Sequence, residues 1–199
     1  MKTGTRQKIL NAARTLFNEY GYNSVSLRDI AETVGISEGN LTYHFKKKEN
    51  LMEGLLEERE DTLPAGIPRT LEELDAIFVD QQQAVRKNLF FFLHYTQLSQ
   101  TSPEICRKQS ARYGSLLEKF RLAFQNLHEA GLLRDEAFSG EYDNVIDMLY
   151  MSVIYWAPFA RLKETVHAES TEYRRYAWRM MYHLLTEKGQ SELRGMIQI

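Results

Sequence analysis

The stretch GISEGNLTYHFKKKENL, from Gly35 to Leu51, concentrates side chains that can bind a polyanion and read its surface. Asn40 offers a carboxamide that both donates and accepts, Thr42 a hydroxyl, Tyr43 a phenol and His44 an imidazole. Lys46, Lys47 and Lys48 follow as three consecutive cations. Short polar groups beside an aromatic and a run of ammonium groups suit base edges in a major groove flanked by phosphates. The same residues would also serve as a polar surface helix followed by a solvated loop, so the elements that carry them must decide.

Those elements are helical. Ile9, Ala13, Leu16, Phe17 and Tyr20 recur at helical spacing, and Gly21 closes the stripe. Ser26-Leu27-Arg28-Asp29 has the form of a capping box, with Val25 placed to staple onto Ile30. The helix it opens carries Leu27, Ile30, Ala31 and Val34 and stops at Gly35. Ser37 caps a third, short helix, with Ile36 and Leu41 as its staple and Leu41 and Phe45 as its inner face. Two short helices joined by Gly35-Ile36-Ser37 form the outline of a helix-turn-helix. The outer face of the second then carries Glu38, Gly39, Asn40, Thr42, Tyr43 and His44. Gly39 costs a helix about 1 kcal/mol relative to alanine, which makes sense where a backbone must approach DNA closely. A fourth helix begins near Lys48 and continues through Leu51, Leu55 and Leu56.

Taken together, the stretch from Arg6 to Leu51 resembles the DNA-binding domain of the TetR/AcrR family of bacterial transcriptional regulators. The residues that carry the resemblance are ILNAARTLFNEYGYNSVSLRDIAETVGISEGNLTYHFKKKENL. Phe17, Tyr20 and Gly21 match the aromatic–glycine end of the family's first helix. Ser26, Ile30 and Ala31 match its cap and Ile-Ala pair, and Gly35, Ile36 and Ser37 its turn. Tyr43, His44, Phe45, Lys48, Glu49 and Leu51 match its aromatic-His-Phe run and the lysine, acidic and leucine positions that follow. The family usually has two aromatics before the histidine, the first commonly packed against phosphate. Thr42 stands there in this chain and can donate a hydrogen bond to phosphate instead.

The resemblance implies a DNA interface made of Ser26, Arg28, Ser37, Gly39, Asn40, Thr42, Tyr43, His44, Lys46, Lys47 and Lys48. Ser26 caps and approaches phosphate through nearby amides, Arg28 reaches a base edge or phosphate, and Lys48 contacts phosphate. Lys46 and Lys47 add charge that is indifferent to sequence. Asn40 can read adenine or bind phosphate, and the residues alone leave that open.

Bulk composition agrees. Residues 1–48 carry eight Lys and Arg against four Asp and Glu, and the rest carries 17 against 23. A basic head on an acidic body suits a head that meets polyanions. The 199 residues, 43% of them hydrophobic, can bury a core, and four prolines exclude a fibrous or low-complexity chain. A single cysteine, Cys106, cannot close an intrachain disulfide and is expected as a small buried hydrophobe. Met1 to Thr15 is polar where a signal peptide is apolar, and Leu89–Leu93 is far shorter than the ~20 residues that span a bilayer. A cytoplasmic, bacterial protein is expected.

The expected architecture is all-α. Residues 1–50 form the helix-turn-helix domain, a linking helix covers about 48–62, and a helical bundle for effector binding and dimerisation occupies 63–199. Pro64-Ala65-Gly66-Ile67-Pro68 marks the break. Periodicity predicts helices over Leu71–Gln83, Ala84–Gln100, Pro103–Ala130, Glu141–Lys163 and Thr171–Lys188. Aromatic stripes in these helices are ordinarily core, yet bundle interiors also host apolar pockets. A pocket lined by Phe92, Tyr95, Tyr113 and Tyr150 would take a small apolar or aromatic effector. Met148, Met151 and Tyr155 on one long helix, with Tyr176, Met180, His183, Leu184 and Glu187 on the next, are the expected dimer surface. His94, His128, His167 and His183 show no metal spacing, and no nucleophile sits with a base, so neither a cofactor, a metal nor an enzyme is expected. The expected function is a homodimeric, ligand-responsive regulator, most simply a repressor, on a palindromic operator. The rival is a helical ligand-sequestering or interaction protein whose head no longer binds DNA.

Overall fold

In a computed structural model, residues 4–60, 66–166 and 172–198 are described. Pro64, Ala65, His167 and Thr171 lie outside them. The architecture is all-α; among the described residues the β-type pairing is one isolated bridge, Leu133 with Leu185. The chain forms two compact units. The first joins Met1–Leu63 to Asn88–Ser110, and the second joins Pro64–Lys87 to Ala111–Ile199.

The first unit contains α1 (Thr5–Tyr20), α2 (Leu27–Val34), α3 (Glu38–His44), α4 (Lys48–Glu60), α6 (Leu89–Leu93) and α7 (Tyr95–Thr101), the last two lying beyond α5 (Leu71–Lys87) in chain order. Ile9, Leu10, Ala13 and Phe17 form the buried face of α1. Tyr20 turns outward, and Tyr22, just past the helix end, is buried with its ring edge-on to Phe17 at 5.2 Å. The capping box of α2 is formed at both ends. The Asp29 amide donates to Ser26 Oγ at 3.2 Å, and the Ser26 amide donates to Asp29 Oδ2 at 2.7 Å. The Ser26 amide, and the Ser26 hydroxyl donating to the same Asp29 Oδ2 at 2.7 Å, hold the Asp29 carboxyl below its ordinary range. Gly35 ends α2 at φ +74°, the left-handed conformation that glycine enters without a Cβ penalty, while Ile36 N–H donates to Ala31 O at 3.0 Å. That cap fixes the turn between α2 and α3.

One sequence expectation fails here, for a local reason. The predicted helix Ala84–Gln100 is three pieces: α5 runs to Lys87, the backbone leaves helical geometry at Asn88 and His94, and α6 and α7 are separate. Leu89–Leu93 (LFFFL) is apolar on all sides, and Phe90, Phe91 and Phe92 are all buried. Three consecutive aromatics cannot share one helix face, so the segment must be surrounded rather than laid along a bundle. It packs on α1, where Asn18 Oδ1 accepts from the Phe90 amide at 3.0 Å.

The second unit holds α5, most of α8 (Pro103–Glu129), α9 (Glu141–Val166), α10 (Tyr173–Met181) and α11 (Glu187–Met196). The predicted helix Thr171–Lys188 is also interrupted. After α10 comes a 3-10 turn, Tyr182–Leu184, then extended Leu185, and then Thr186, whose Oγ accepts from the Gly189 amide at 3.1 Å to start α11. Leu184 is fully buried, so it belongs to the chain's own core and is withdrawn from the expected dimer surface. Cys106 is exposed, not buried; Ile105 takes the inward position on that turn of α8.

Asp75 of α5 is buried and holds α10. Arg174 donates to both of its oxygens at 2.7 and 2.6 Å, and Trp178 Nε1 donates at 2.9 Å. Asp75→Ala strands a guanidinium and a buried indole N–H together. Urea unfolding should register a loss of about 3–5 kcal/mol; a loss below 1 kcal/mol would remove the network from the core's support.

A second clamp closes the turn before α9. Arg134 donates to Glu141 Oε2 and Oε1 at 2.9 and 2.7 Å, and the Ala137 amide donates to Oε2 at 2.7 Å. The Arg134 bonds first, then the amide, hold the Glu141 carboxyl down at about 2, from 4.5. Between those values the unfolded chain binds a proton that the folded chain does not, so folding stability falls as pH falls through this window. Glu141→Gln should flatten the pH dependence of the melting temperature between about pH 5 and 2. An unchanged slope would show that the clamp does not contribute.

Candidate nucleic-acid interface

The candidate interface is built on α2, the Gly35 turn and α3. Leu41 is fully buried and Phe45, just past α3, nearly so; together they fix the helix's rotation. The Ser37 Oγ accepts from the Asn40 amide at 3.2 Å and anchors the start of α3. With Leu41 inward, Gly39, Asn40 and Tyr43 lie on the exposed side, and Tyr43 is 84% exposed. Its ring meets that of His44 edge-on at 5.3 Å, and His44 is half-buried beside it. A Cβ on Gly39 would meet no atom of the chain within 4 Å, so internal packing does not require glycine there.

The remaining expected contacts divide by how committed they already are. Ser26 is occupied by its capping box. Arg28 is exposed and pairs with Glu32 at 2.9 Å, which raises the guanidinium pKa. Lys46 and Lys47 are exposed. Lys48 is different: its Nζ donates to the Tyr22 carbonyl and sits 4.3 Å from the Tyr22 ring centroid and 5.5 Å from that of Phe17. Partial burial lowers its pKa. One of its three N–H bonds is therefore committed within the chain. Tyr22, which sequence reasoning passed over, seats this lysine, and its own hydroxyl is pushed up to about 12 by burial. Its position directly after Gly21 was the available signal. Thr42 also departs from expectation. Its hydroxyl donates to Glu38 O at 3.0 Å and Gly39 O at 3.1 Å, so its proton is used inside the helix.

The expected effector residues fall in different units. In the first, Phe92 is buried and the Tyr95 ring meets Phe91 at 5.3 Å. In the second, Tyr113 and Tyr150 are brought together at 4.9 Å, and the Tyr113 hydroxyl donates to Asp147 Oδ1 at 2.6 Å. An open cleft of about 620 Å³ in the second unit is lined instead by Arg179, Tyr182, Arg194, Ile197 and Gln198. Of the expected dimer residues, Met148, Met151 and Tyr155 are exposed on α9, Tyr176 and Met180 are half-buried on α10, and His183 is exposed in the turn that follows. Glu187 is exposed but belongs to α11 rather than continuing α10. Among the described residues no group of His, Cys, Asp and Glu has the form of a metal site, and no helix is long and apolar enough to cross a membrane.

Comparison with known proteins places this geometry. The family model described as "Bacterial regulatory proteins, tetR family" matches residues 9–55, and the one described as "Bacterial transcriptional repressor" matches residues 49–192. The HTH-type transcriptional regulator UidR of Escherichia coli strain K12 is 37% identical over 76 residues, 38% of this chain and 38% of that protein. The HTH-type transcriptional repressor AcnR of Corynebacterium diphtheriae is 47% identical over 53 residues, 27% of this chain and 28% of that protein. The matched stretch thus spans well under half the length of these curated relatives. A TetR-family transcriptional regulator from Marinobacter aquaeolei has the same fold over 98% of this chain and 97% of its own, with a TM-score of 0.86 at 21% identity. The proteins matched are regulators rather than enzymes, and the two family models together run through both the helix-turn-helix and the helices behind it: the chain belongs to the TetR family of bacterial transcriptional regulators.

Proposed function

We propose that this chain is a homodimeric repressor of the bacterial cytoplasm that binds a palindromic operator and is released by a small apolar or aromatic effector. The observation that carries the DNA-binding half of this reading is the outer face of α3. Gly39, Asn40 and Tyr43 project from a helix whose angle is set by the Gly35 cap and the buried Leu41, and the rest of the chain leaves them exposed. Exposed Lys46 and Lys47 supply charge for the phosphates beside the groove, with Arg28 and the remaining N–H bonds of Lys48 as lesser contributors. Residues 1–50 act as the reading head, and residues 63–199 hold the effector and the partner copy. Tyr113 and Tyr150, which lie together in the second unit, are the aromatic candidates for effector contact. An effector shifts the protein only to the extent that it binds one bundle arrangement better than the other.

Selection of binding sites from random duplex DNA by the full chain tests the reading. The expected product is a palindrome whose half-sites lie about one helical turn apart, bound with a log–log salt slope of about −0.9 per phosphate contact. Absence of any enriched sequence at low salt would overturn it.

A further inference from the structure

We propose that Thr42 reads a base pair, not a phosphate, and that the pair is A·T. The inference rests on the reading above, that α3 enters a major groove. A threonine hydroxyl has one proton. In this chain that proton is directed to the Glu38 and Gly39 carbonyl oxygens, at 3.0 and 3.1 Å. A phosphate oxygen only accepts, so Thr42 held this way has nothing to give it. What is left for a partner is the oxygen's lone pairs and the methyl group. Its complement must therefore offer a hydrogen-bond donor and an apolar group on the same base pair. In the major groove, adenine N6 and cytosine N4 are donors, but only the A·T pair adds the thymine C5-methyl. A guanine would place O6 and N7, both acceptors, against the hydroxyl's lone pairs.

The neighbours of Thr42 favour the same assignment. Gly39 stands three residues earlier, on the adjoining turn of the helix, and its missing side chain is not demanded by anything in the chain. A glycine and a short threonine on one helix edge let that edge approach base edges more closely than an aromatic would. Glu38, four residues before Thr42, is exposed and puts a carboxylate on the same edge, where a phosphate would be repelled.

The test uses the full chain and the operator it selects. Replacing thymine by deoxyuridine removes only the C5-methyl; Thr42→Ser removes only the protein's methyl; Thr42→Val keeps the methyl and removes the hydroxyl. One A·T position per half-site should show a loss of about fourfold per half-site on thymine-to-uracil exchange, the worth of one buried methyl. That loss should vanish in Thr42→Ser and persist in Thr42→Val, with the salt slope unchanged in both. The proposal is overturned if uracil sensitivity is the same in all three proteins, or if Thr42→Val lowers the salt slope by about 0.9 per half-site, the mark of a lost phosphate contact. If the unsubstituted chain enriches no DNA, the DNA-binding reading itself falls, and this one with it.

Discussion

Tyr43→Ala is expected to abolish operator binding while leaving the melting temperature almost unchanged. The ring is 84% exposed, and among the described residues its close aromatic neighbour is the adjoining His44. Truncating it removes little buried area, so stability should stay within about 0.5 kcal/mol of the parent. At the centre of an interface the same side chain is an anchor. Aromatic anchors there contribute about 2–4 kcal/mol, and a two-headed complex loses that amount at both half-sites. Fluorescence anisotropy on the selected operator, paired with urea unfolding, separates the two effects. If unfolding instead registers a loss of about 3–5 kcal/mol, typical of a core aromatic, α3 is rotated and its reading face lies elsewhere.

The rotation of α3 was legible in the sequence because its determinants are local. Ser26 with Asp29, Gly35, and Ser37 with Asn40 act within four residues of one another, and each cap forms as its residue types require. The spacing of Leu41 and Phe45 then leaves Gly39, Asn40 and Tyr43 outside. What could not be read was set by distant partners. Lys48 reads as one more cation in a basic run until Tyr22, 26 residues earlier, is seen to receive it. Thr42 reads as a free donor, although its hydroxyl is spent on its own helix. Periodicity likewise carried α8 and α9 nearly end to end but missed the breaks at Asn88 and Leu185. The first depends on LFFFL being enclosed on all sides. The second depends on Leu132 and Leu133 receiving the chain: Thr186 N–H donates to Leu132 O at 3.0 Å, and a Cβ on Gly189 would come within 2.3 Å of the same oxygen.

Met151→Glu is expected to turn a dimer into a folded monomer. On α9 the residues Met148, Met151, Tyr155, Phe159 and Leu162 recur at intervals of three and four, and all are exposed, Met151 at 54% and Leu162 at 68%. Isolated exposed apolar side chains are ordinary, but a five-residue stripe down one face of a helix is the kind of patch that marks a contact surface. Half-buried Tyr176 packs its ring on Trp156 and Phe159, at 5.3 and 5.9 Å, so α10 continues the same surface, with Met180 one turn further on. Two copies of this helix pair, related by a two-fold axis, would bury the stripe against itself. Methionine and tyrosine suit such a contact, apolar at the centre and wet at the rim. A glutamate at position 151 would place two carboxylates in that centre, one from each copy. Because the site is exposed in the single chain, the monomer has no reason to unfold. Sedimentation should show the half-mass species with an unchanged far-ultraviolet spectrum. Operator affinity should fall by about 10²–10⁴, the worth of linking two reading heads. Met180→Glu, at a half-buried site, should dissociate the dimer too, with some loss of stability. A Met151→Glu protein that remains dimeric would move the interface off α9.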